Sequence, residues 1–213
     1  MRKTKIPEAA IKRLPVYLRV LEEMAAADIP IISSAELADK TGFSPEQIRK
    51  DLAYFGAFGT RGVGYDTAML SRRISRILGL HQGVKAALVG AGHLGYALAR
   101  YSISRHKDIR ISAIFDVDAG KVGTDIMGVT IHPMEDLVTI CRDQGIKIGI
   151  ITVPASEAQS AAERLQQGGV EAILNFAPAK IKLEQVFVQN IDLTIELQSL
   201  AYYTSASEEE AGT

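Results

Sequence analysis

Val84-Lys85-Ala86-Ala87-Leu88-Val89 runs without a break into Gly90-Ala91-Gly92-His93-Leu94-Gly95. A short apolar run of this kind reads as a buried strand, and the Ala- and Leu-rich stretch Tyr96–Ser104 after the glycines reads as a helix. A second apolar run, Ile109–Phe115, ends at Asp116, 21 positions after Gly95. Alone G-x-G-x-x-G is a weak signal. Between a strand and a helix, with an acidic residue about twenty positions on, it is the fingerprint of a dinucleotide-binding βαβ unit. Gly90 permits the tight turn, Gly92 lets a pyrophosphate approach the backbone, and Gly95 lets the helix sit close on the sheet. The helix start offers free N–H groups and its positive dipole end to phosphates, with Ala91, His93 and Leu94 completing the loop. Asp116, followed by Val117, is placed to accept hydrogen bonds from ribose hydroxyls. No Arg follows in Val117-Asp118, so the reading favours NAD(H) over NADP(H).

Downstream the alternation continues. A helix around Met134–Arg142 leads to the strand Lys147–Val153, and a helix Ser156–Gln167 leads to the strand Glu171–Phe176. A last strand, Val186–Ile191, precedes Asp192. Strands alternating with helices predict a doubly wound α/β sheet whose ligand lies across the carboxyl ends of the strands. Thr152-Val153-Pro154 and Asn175-Phe176-Ala177-Pro178 are such ends and are expected to line the nicotinamide half of the site. No catalytic residue is expected. His93 sits in the loop, His81, His106 and His132 fall at predicted loop or linker positions, and Cys141 on a predicted helix reads as a buried inert thiol. The 21 residues after Asp192 are too few for a substrate domain, so the cofactor is expected to be bound and not consumed.

Upstream the pattern is helical. Pro7 opens a helix with Ile11, Leu14, Leu18, Leu21 and Ala25 at helical spacing, which Pro15 kinks or divides. Ser33-Ser34-Ala35-Glu36 is a capping box whose short helix stops near Thr41-Gly42, and Ser44-Pro45-Glu46-Gln47 is a second one with Pro at the first helical position. Two capped helices across a Gly-containing turn predict a helix-turn-helix. Ile48, Leu52 and Phe55 bury one side of its second helix, leaving Gln47, Arg49, Lys50 and Tyr54 free for a DNA groove, with Ser44 at the helix start. Gly56 to Tyr65, with glycines at 56, 59, 62 and 64, reads as the hairpin wing of a winged helix, with Arg61 and Gly62 at its tip and Arg61 suited to a minor groove. A helix from Thr67 to Leu78 closes the domain, and its Arg72, Arg73 and Arg76 add phosphate contacts.

Charge follows the same division. Residues 1–85 hold 14 Lys/Arg against 9 Asp/Glu, and residues 86–213 hold 10 against 16. A basic third beside an acidic remainder fits two domains with different partners. Apolar runs are far shorter than the roughly 20 residues that span a bilayer, the start lacks the apolar segment of a secretory signal, and one cysteine excludes a disulfide framework or Cys-rich metal site. A soluble, cytoplasmic protein without membrane or metal is expected. The division is a winged-helix domain (1–80), a Rossmann NAD(H)-binding domain (81–192), and a C-terminal helix with a frayed tail (193–213). Leu193, Ile195, Leu197, Leu200, Tyr202 and Tyr203 leave that helix apolar on most sides, which predicts burial by a partner subunit.

These features together resemble the Rex family of redox-sensing transcriptional repressors. The stretches that carry the resemblance are Ile6-Pro7-Glu8-Ala9-Ala10 with Arg13-Leu14, Gln47 to Gly56, Arg61 to Tyr65, Gly90 to Gly95, Phe115 to Asp118, Thr152 to Ala155, Ile173 to Pro178 and Asp192 to Thr194. The resemblance implies a homodimer with swapped C-terminal helices that senses the NADH/NAD+ ratio. NADH would release it from an inverted-repeat operator of genes for NADH reoxidation and anaerobic or fermentative metabolism. It also implies DNA contacts by Arg49, Lys50 and Arg61, and Tyr101 near the nicotinamide. Arg19 would pair across the dimer with Tyr101 or Asp192 in one state. Two other readings stay open: a small dehydrogenase with an accessory helical domain, and a Rossmann module for another nucleotide, such as an acyl-CoA ligase-like domain. The want of a catalytic acid or base speaks against the first, and Asp116 against the second.

Overall fold

A computed structural model describes residues 6–56, 58–60, 62–105 and 108–211. The chain divides into two compact units, Met1–Gln82 and Gly83–Thr213.

The first unit opens with α1 (Glu8–Ala26), which starts at Pro7 and runs through Pro15 as one helix. Proline removes one helical hydrogen bond, but Leu14, Tyr17, Leu18, Val20 and Leu21 are buried on either side of it, and that packing holds the helix together. The expected stripe is shifted: Ile11 is 45% exposed and Tyr17 and Val20 are buried instead. β1 (Ile31–Ile32), α2 (Ser34–Thr41), α3 (Pro45–Ala53), β2 (Tyr65–Asp66) and α4 (Thr67–Ile77) follow, with β1 antiparallel to β2. Ser33 and Glu36 form the reciprocal capping box, and Gly42 ends α2 in the left-handed region at φ 74°. The second box is only half made. Ser44 Oγ accepts from the Gln47 N–H at 3.1 Å, but the Gln47 amide turns to Asp51 Oδ1 at 2.8 Å.

That carboxylate organises the unit. Asp51 is fully buried on α3, and Arg13 of α1 grips it through two parallel bonds of 2.6 and 2.8 Å. The Tyr17 hydroxyl donates to it at 2.7 Å. Burial alone would push the Asp51 carboxyl up, but the bonds from Arg13, Tyr17 and Gln47 outweigh it and hold it below its ordinary value. The network ties the first helix to the second helix of the helix-turn-helix.

The second unit is a seven-stranded sheet in the order β5-β6-β4-β3-β7-β8-β9. Its strands are β3 (Val84–Val89), β4 (Ile109–Asp116), β5 (Asp125–Ile126), β6 (Val129–Pro133), β7 (Ile148–Ile151), β8 (Ala172–Asn175) and β9 (Phe187–Asn190). All neighbours pair in parallel except β5 with β6. Helices α5 (His93–Arg105), α6 (Leu137–Gln144) and α7 (Ala158–Gln167) connect the strands. One apolar core joins Val89, Phe115, Ile151, Leu137 and Leu165; the other joins Leu88, Ile111, Ile114 and Ala99. This is the expected doubly wound Rossmann-like sheet. The chain reverses its direction of growth between β3 and β7, the point where such sheets open a crevice.

Three expectations need correction. The β5–β6 hairpin was not foreseen; its turn holds Met127 at φ 52° and Gly128 at φ 83°, a two-residue turn with both φ positive for which Met is an unusual choice. His132, expected in a loop, lies in β6 with its ring 5.8 Å from Phe115. α8 (Leu193–Ala211) continues as a helix beyond Tyr203, where a frayed tail was expected, since no Gly or Pro interrupts Ser205 to Ala211. His106 lies outside the described residues.

Replacing Arg13 by Ala strands a buried carboxylate, and removing one partner of a buried ion pair costs about 3–5 kcal/mol. Chemical denaturation of the full chain, followed by circular dichroism, should register that loss; an unchanged midpoint would show the network to be incidental. Because folding lowers the pKa of Asp51, its contribution is complete above the unfolded carboxyl value of about 3.9 and disappears as pH falls through the folded value.

Candidate functional site

At the reversal point the chain approaches itself more closely than side chains allow. A Cβ on Gly95 would lie 1.9 Å from the Gly90 carbonyl oxygen, and one on Gly90, whose φ is 97°, would lie 2.8 Å from the Thr152 carbonyl oxygen. The Thr152 hydroxyl donates to the Gly90 carbonyl at 2.8 Å, fixing the end of β7 to the loop. A Cβ on Gly92, by contrast, would meet nothing within 4 Å. The loop is therefore clamped at both ends and open in the middle, with α5 beginning at His93.

Asp116, 8% exposed, braces this loop. Its Oδ2 accepts from the Ala91 N–H at 2.7 Å and its Oδ1 from the Asp118 N–H at 2.9 Å. Burial would raise its pKa, but these backbone donors and Lys121 hold it down, so it stays ionised. Gly90, Gly92, Asp116, Val117, Thr152, Val153 and Pro154, all foreseen, line one cavity of about 300 Å³. Met134, Glu157, Ser160, Ala161, Arg164 and Lys121 complete it and were not foreseen. Lys121 matters most. Its Nζ lies 3.4 Å from Asp116 Oδ2 and 3.5 Å from Asp118 Oδ2, so a cation does stand beside Asp116. It comes from five residues on, brought back by a turn in which the Lys121 N–H donates to the Asp118 carbonyl at 2.9 Å. The absence of Arg from Val117-Asp118 therefore does not leave Asp116 without a neighbouring cation.

The other strand end is differently built. Asn175 is fully buried; its amide donates to the carbonyls of Ala177 and Ala179 and to Asn190, and its oxygen accepts from the Ala177 N–H. Asn175 and the buried Ala177 thus shape the turn that carries half-buried Phe176 and exposed Pro178, and none of the four lines the cavity. His93 and Leu94 are exposed at the start of α5, with Tyr101 further along it. Asp192 accepts from the N–H groups of Thr194 and Ile195 and so caps α8. Cys141 is buried and its thiol is pushed up to about 11 by that burial. Among the described residues no group of His, Cys, Asp or Glu could hold a metal ion, and no helix is long and apolar enough to cross a membrane.

In the first unit, α3 exposes Arg49 and Lys50, with Arg49 Nη1 donating to Ser34 Oγ at 2.8 Å. Ser44 is committed as the helix cap, Gln47 is committed to Asp51, and Tyr54 is half-buried. Beside α3 a hairpin turns between Thr60 and Gly64, which form an isolated antiparallel bridge, with Gly62 at φ 81°. Arg61 lies outside the described residues. On α4 Arg72, Arg73 and Arg76 are exposed, and the Arg73 guanidinium stands 4.7 Å from the Phe58 ring centre. Arg19 is exposed on α1.

Comparison with known proteins covers the whole chain. Residues 5–53 match the family model for a putative DNA-binding protein N-terminus, and residues 81–179 match that for a CoA binding domain. The redox-sensing transcriptional repressor Rex of Natranaerobius thermophilus is 50% identical, over 97% of this chain and 95% of that protein. Rex of Streptomyces griseus is 45% identical, over 93% and 79%. Among solved structures, RSP, a Rex-family repressor, in complex with β-NAD+ and operator DNA matches with a TM-score of 0.89 at 35% identity, covering 98% of this chain and 96% of that one. The same repressor with β-NADH matches at a TM-score of 0.83 and 34% identity. With a helix-turn-helix unit, a clamped glycine loop on a doubly wound sheet, and this identity along its length, the chain belongs to the Rex family of redox-sensing transcriptional repressors.

Proposed function

We propose that the chain is a cytoplasmic, homodimeric repressor whose second unit binds NAD(H) and whose first unit binds an inverted-repeat operator. NADH releases it from genes for NADH reoxidation and anaerobic or fermentative metabolism. The observation that carries this reading is the union, in one chain, of the clamped Gly90–Gly95 loop above an ionised Asp116 with a capped helix presenting Arg49 and Lys50. The likeness of the whole chain to RSP, solved with both β-NAD+ and operator DNA, supports it over the dehydrogenase and acyl-CoA readings.

The parts have distinct tasks. The open face of Gly92 and the start of α5 receive the pyrophosphate, and Asp116 retains lone pairs for a ribose hydroxyl after its two backbone bonds. Thr152, Val153 and Pro154, with Phe176 and Pro178 carried on the Asn175–Ala177 turn, form the nicotinamide end. NAD+ and NADH differ there by a hydride and a positive charge. An apolar wall disfavours the charged ring, and a hundredfold preference for NADH needs only about 2.7 kcal/mol. Arg49, Lys50 and Arg61 contact DNA, with Ser44, Gln47, Tyr54 and Gly62 shaping the surface around them. α8, whose Leu193, Ile195, Leu197 and Leu200 are each more than half exposed, is covered by the partner subunit. Arg19 paired across the dimer with Tyr101 or Asp192 is the switch. Since NADH acts only through unequal affinity for two states, operator DNA must weaken NADH binding by the same factor.

A gel shift with an inverted-repeat probe, titrated with NADH and NAD+, tests this directly. Release by NADH at concentrations where NAD+ has little effect is expected, and DNA binding indifferent to both would overturn the sensing role. In the same assay Arg49→Ala or Lys50→Ala should weaken DNA binding by about 1–3 kcal/mol where a base contact is lost, with the circular dichroism spectrum unchanged. Full affinity in both variants would remove α3 as the recognition helix. Arg19→Ala should change how far NADH weakens DNA binding; a response equal to wild type would place the switch elsewhere.

A further inference from the structure

Resting on the reading of the second unit as an NAD(H) site, we propose that Lys121 is a second specificity determinant at the ribose end. Its ammonium donates to the 2′-oxygen while Asp116 accepts from the neighbouring hydroxyl, and with the Asp116 charge removed the same ammonium admits a 2′-phosphate.

The geometry carries this. Lys121 lines the cavity with Gly90, Gly92, Asp116 and Val117, and its side chain is 39% exposed. Its contacts to Asp116 and Asp118, 3.4 and 3.5 Å, exceed the 2.7–2.9 Å typical of a committed ammonium–carboxylate bond. An ammonium has three donors and a carboxylate about four acceptor positions. Two of those on Asp116 are taken by the Ala91 and Asp118 N–H groups, so the pair is loose and each partner has capacity left. A donor beside an acceptor at this spacing suits the adjacent hydroxyls of a ribose, one accepting and one donating.

Charge then decides between the two cofactors. A 2′-phosphate entering the native site would meet two carboxylates, Asp116 and Asp118, against one ammonium, so it is repelled. Burial works to discharge Lys121, but Asp116 and Asp118 outweigh it and keep its pKa above the ordinary lysine value, so it is a cation at neutral pH. Neutralising Asp116 leaves it opposed by one carboxylate instead of two.

The test compares NADH and NADPH binding to the full chain by nicotinamide fluorescence in wild type, Lys121→Met, Asp116→Asn and the double variant. Asp116→Asn keeps an oxygen for the Ala91 N–H while removing the charge. It should bind NADPH about tenfold more tightly than wild type does, a change of about 1.4 kcal/mol, and the double variant should lose that gain. Equal NADPH affinity in Asp116→Asn and the double variant would overturn the role of Lys121. Should Asp116→Asn unfold the second unit, a 2′-deoxyadenosine analogue of NADH decides. Lys121→Met should weaken NADH by about tenfold but leave the analogue at its wild-type affinity, and equal losses for both would refute the contact. A wild-type chain that binds no NADH would overturn the dinucleotide reading itself, and this inference with it.

Discussion

The distance of 1.9 Å that a Cβ on Gly95 would leave to the Gly90 carbonyl sets the architecture of the second unit's carboxyl edge. Because nothing but hydrogen occupies that position, α5 can rest directly on the first turn of the loop. Gly90, in turn, can sit against the end of β7, where Thr152 donates to its carbonyl. One steric allowance therefore joins three elements, β3, α5 and β7, at the point where the sheet reverses. These contacts hold the two ends of the loop, while at Gly92 a Cβ would meet no protein atom within 4 Å, so the backbone there is open to approach.

Much of this was legible because the deciding signals are local. The glycine spacing, the strand before it and the acidic residue after it lie within 33 residues, Val84 to Asp116, and each constrains its neighbours through the backbone. The Ser33–Glu36 capping box likewise spans only four residues and forms as expected. What escaped was either long-range or contrary to local preference. Arg13 and Asp51 are 38 residues apart, and no periodicity links them; only the packing of α1 on α3 brings guanidinium to carboxylate. That encounter also diverted Gln47 from its cap, since a buried carboxylate with a free lone pair competes for any nearby amide. The β5–β6 hairpin was missed because Met127 stands where an Asn or Gly would signal the turn. Asn175 read as a ligand-facing residue from its place at a strand end. A buried amide must satisfy its own donors and acceptor first, and Asn175, fully buried, turns its amide N–H groups to Ala177, Ala179 and Asn190 instead of the cavity.

Two buried carboxylates show how environment assigns different work to the same chemistry. Asp51 receives four hydrogen bonds, two of them from one guanidinium in fixed, parallel geometry. Its acceptor positions are filled, its charge is matched at short range, and what remains is a cross-link between two helices. Asp116 receives two short backbone bonds and one loose ammonium. It is held ionised and in place, yet its charge is incompletely matched and it borders a cavity. Breaking the first arrangement costs stability; the second leaves a carboxylate acceptor position open beside the cavity. A buried charge with every partner supplied by its own chain is structural, whereas one left short of partners at a cavity wall is a place where binding energy can be gained. By that criterion Asp116, bonded by the Ala91 N–H and only loosely by Lys121, is the one of the two carboxylates with capacity left for a further donor.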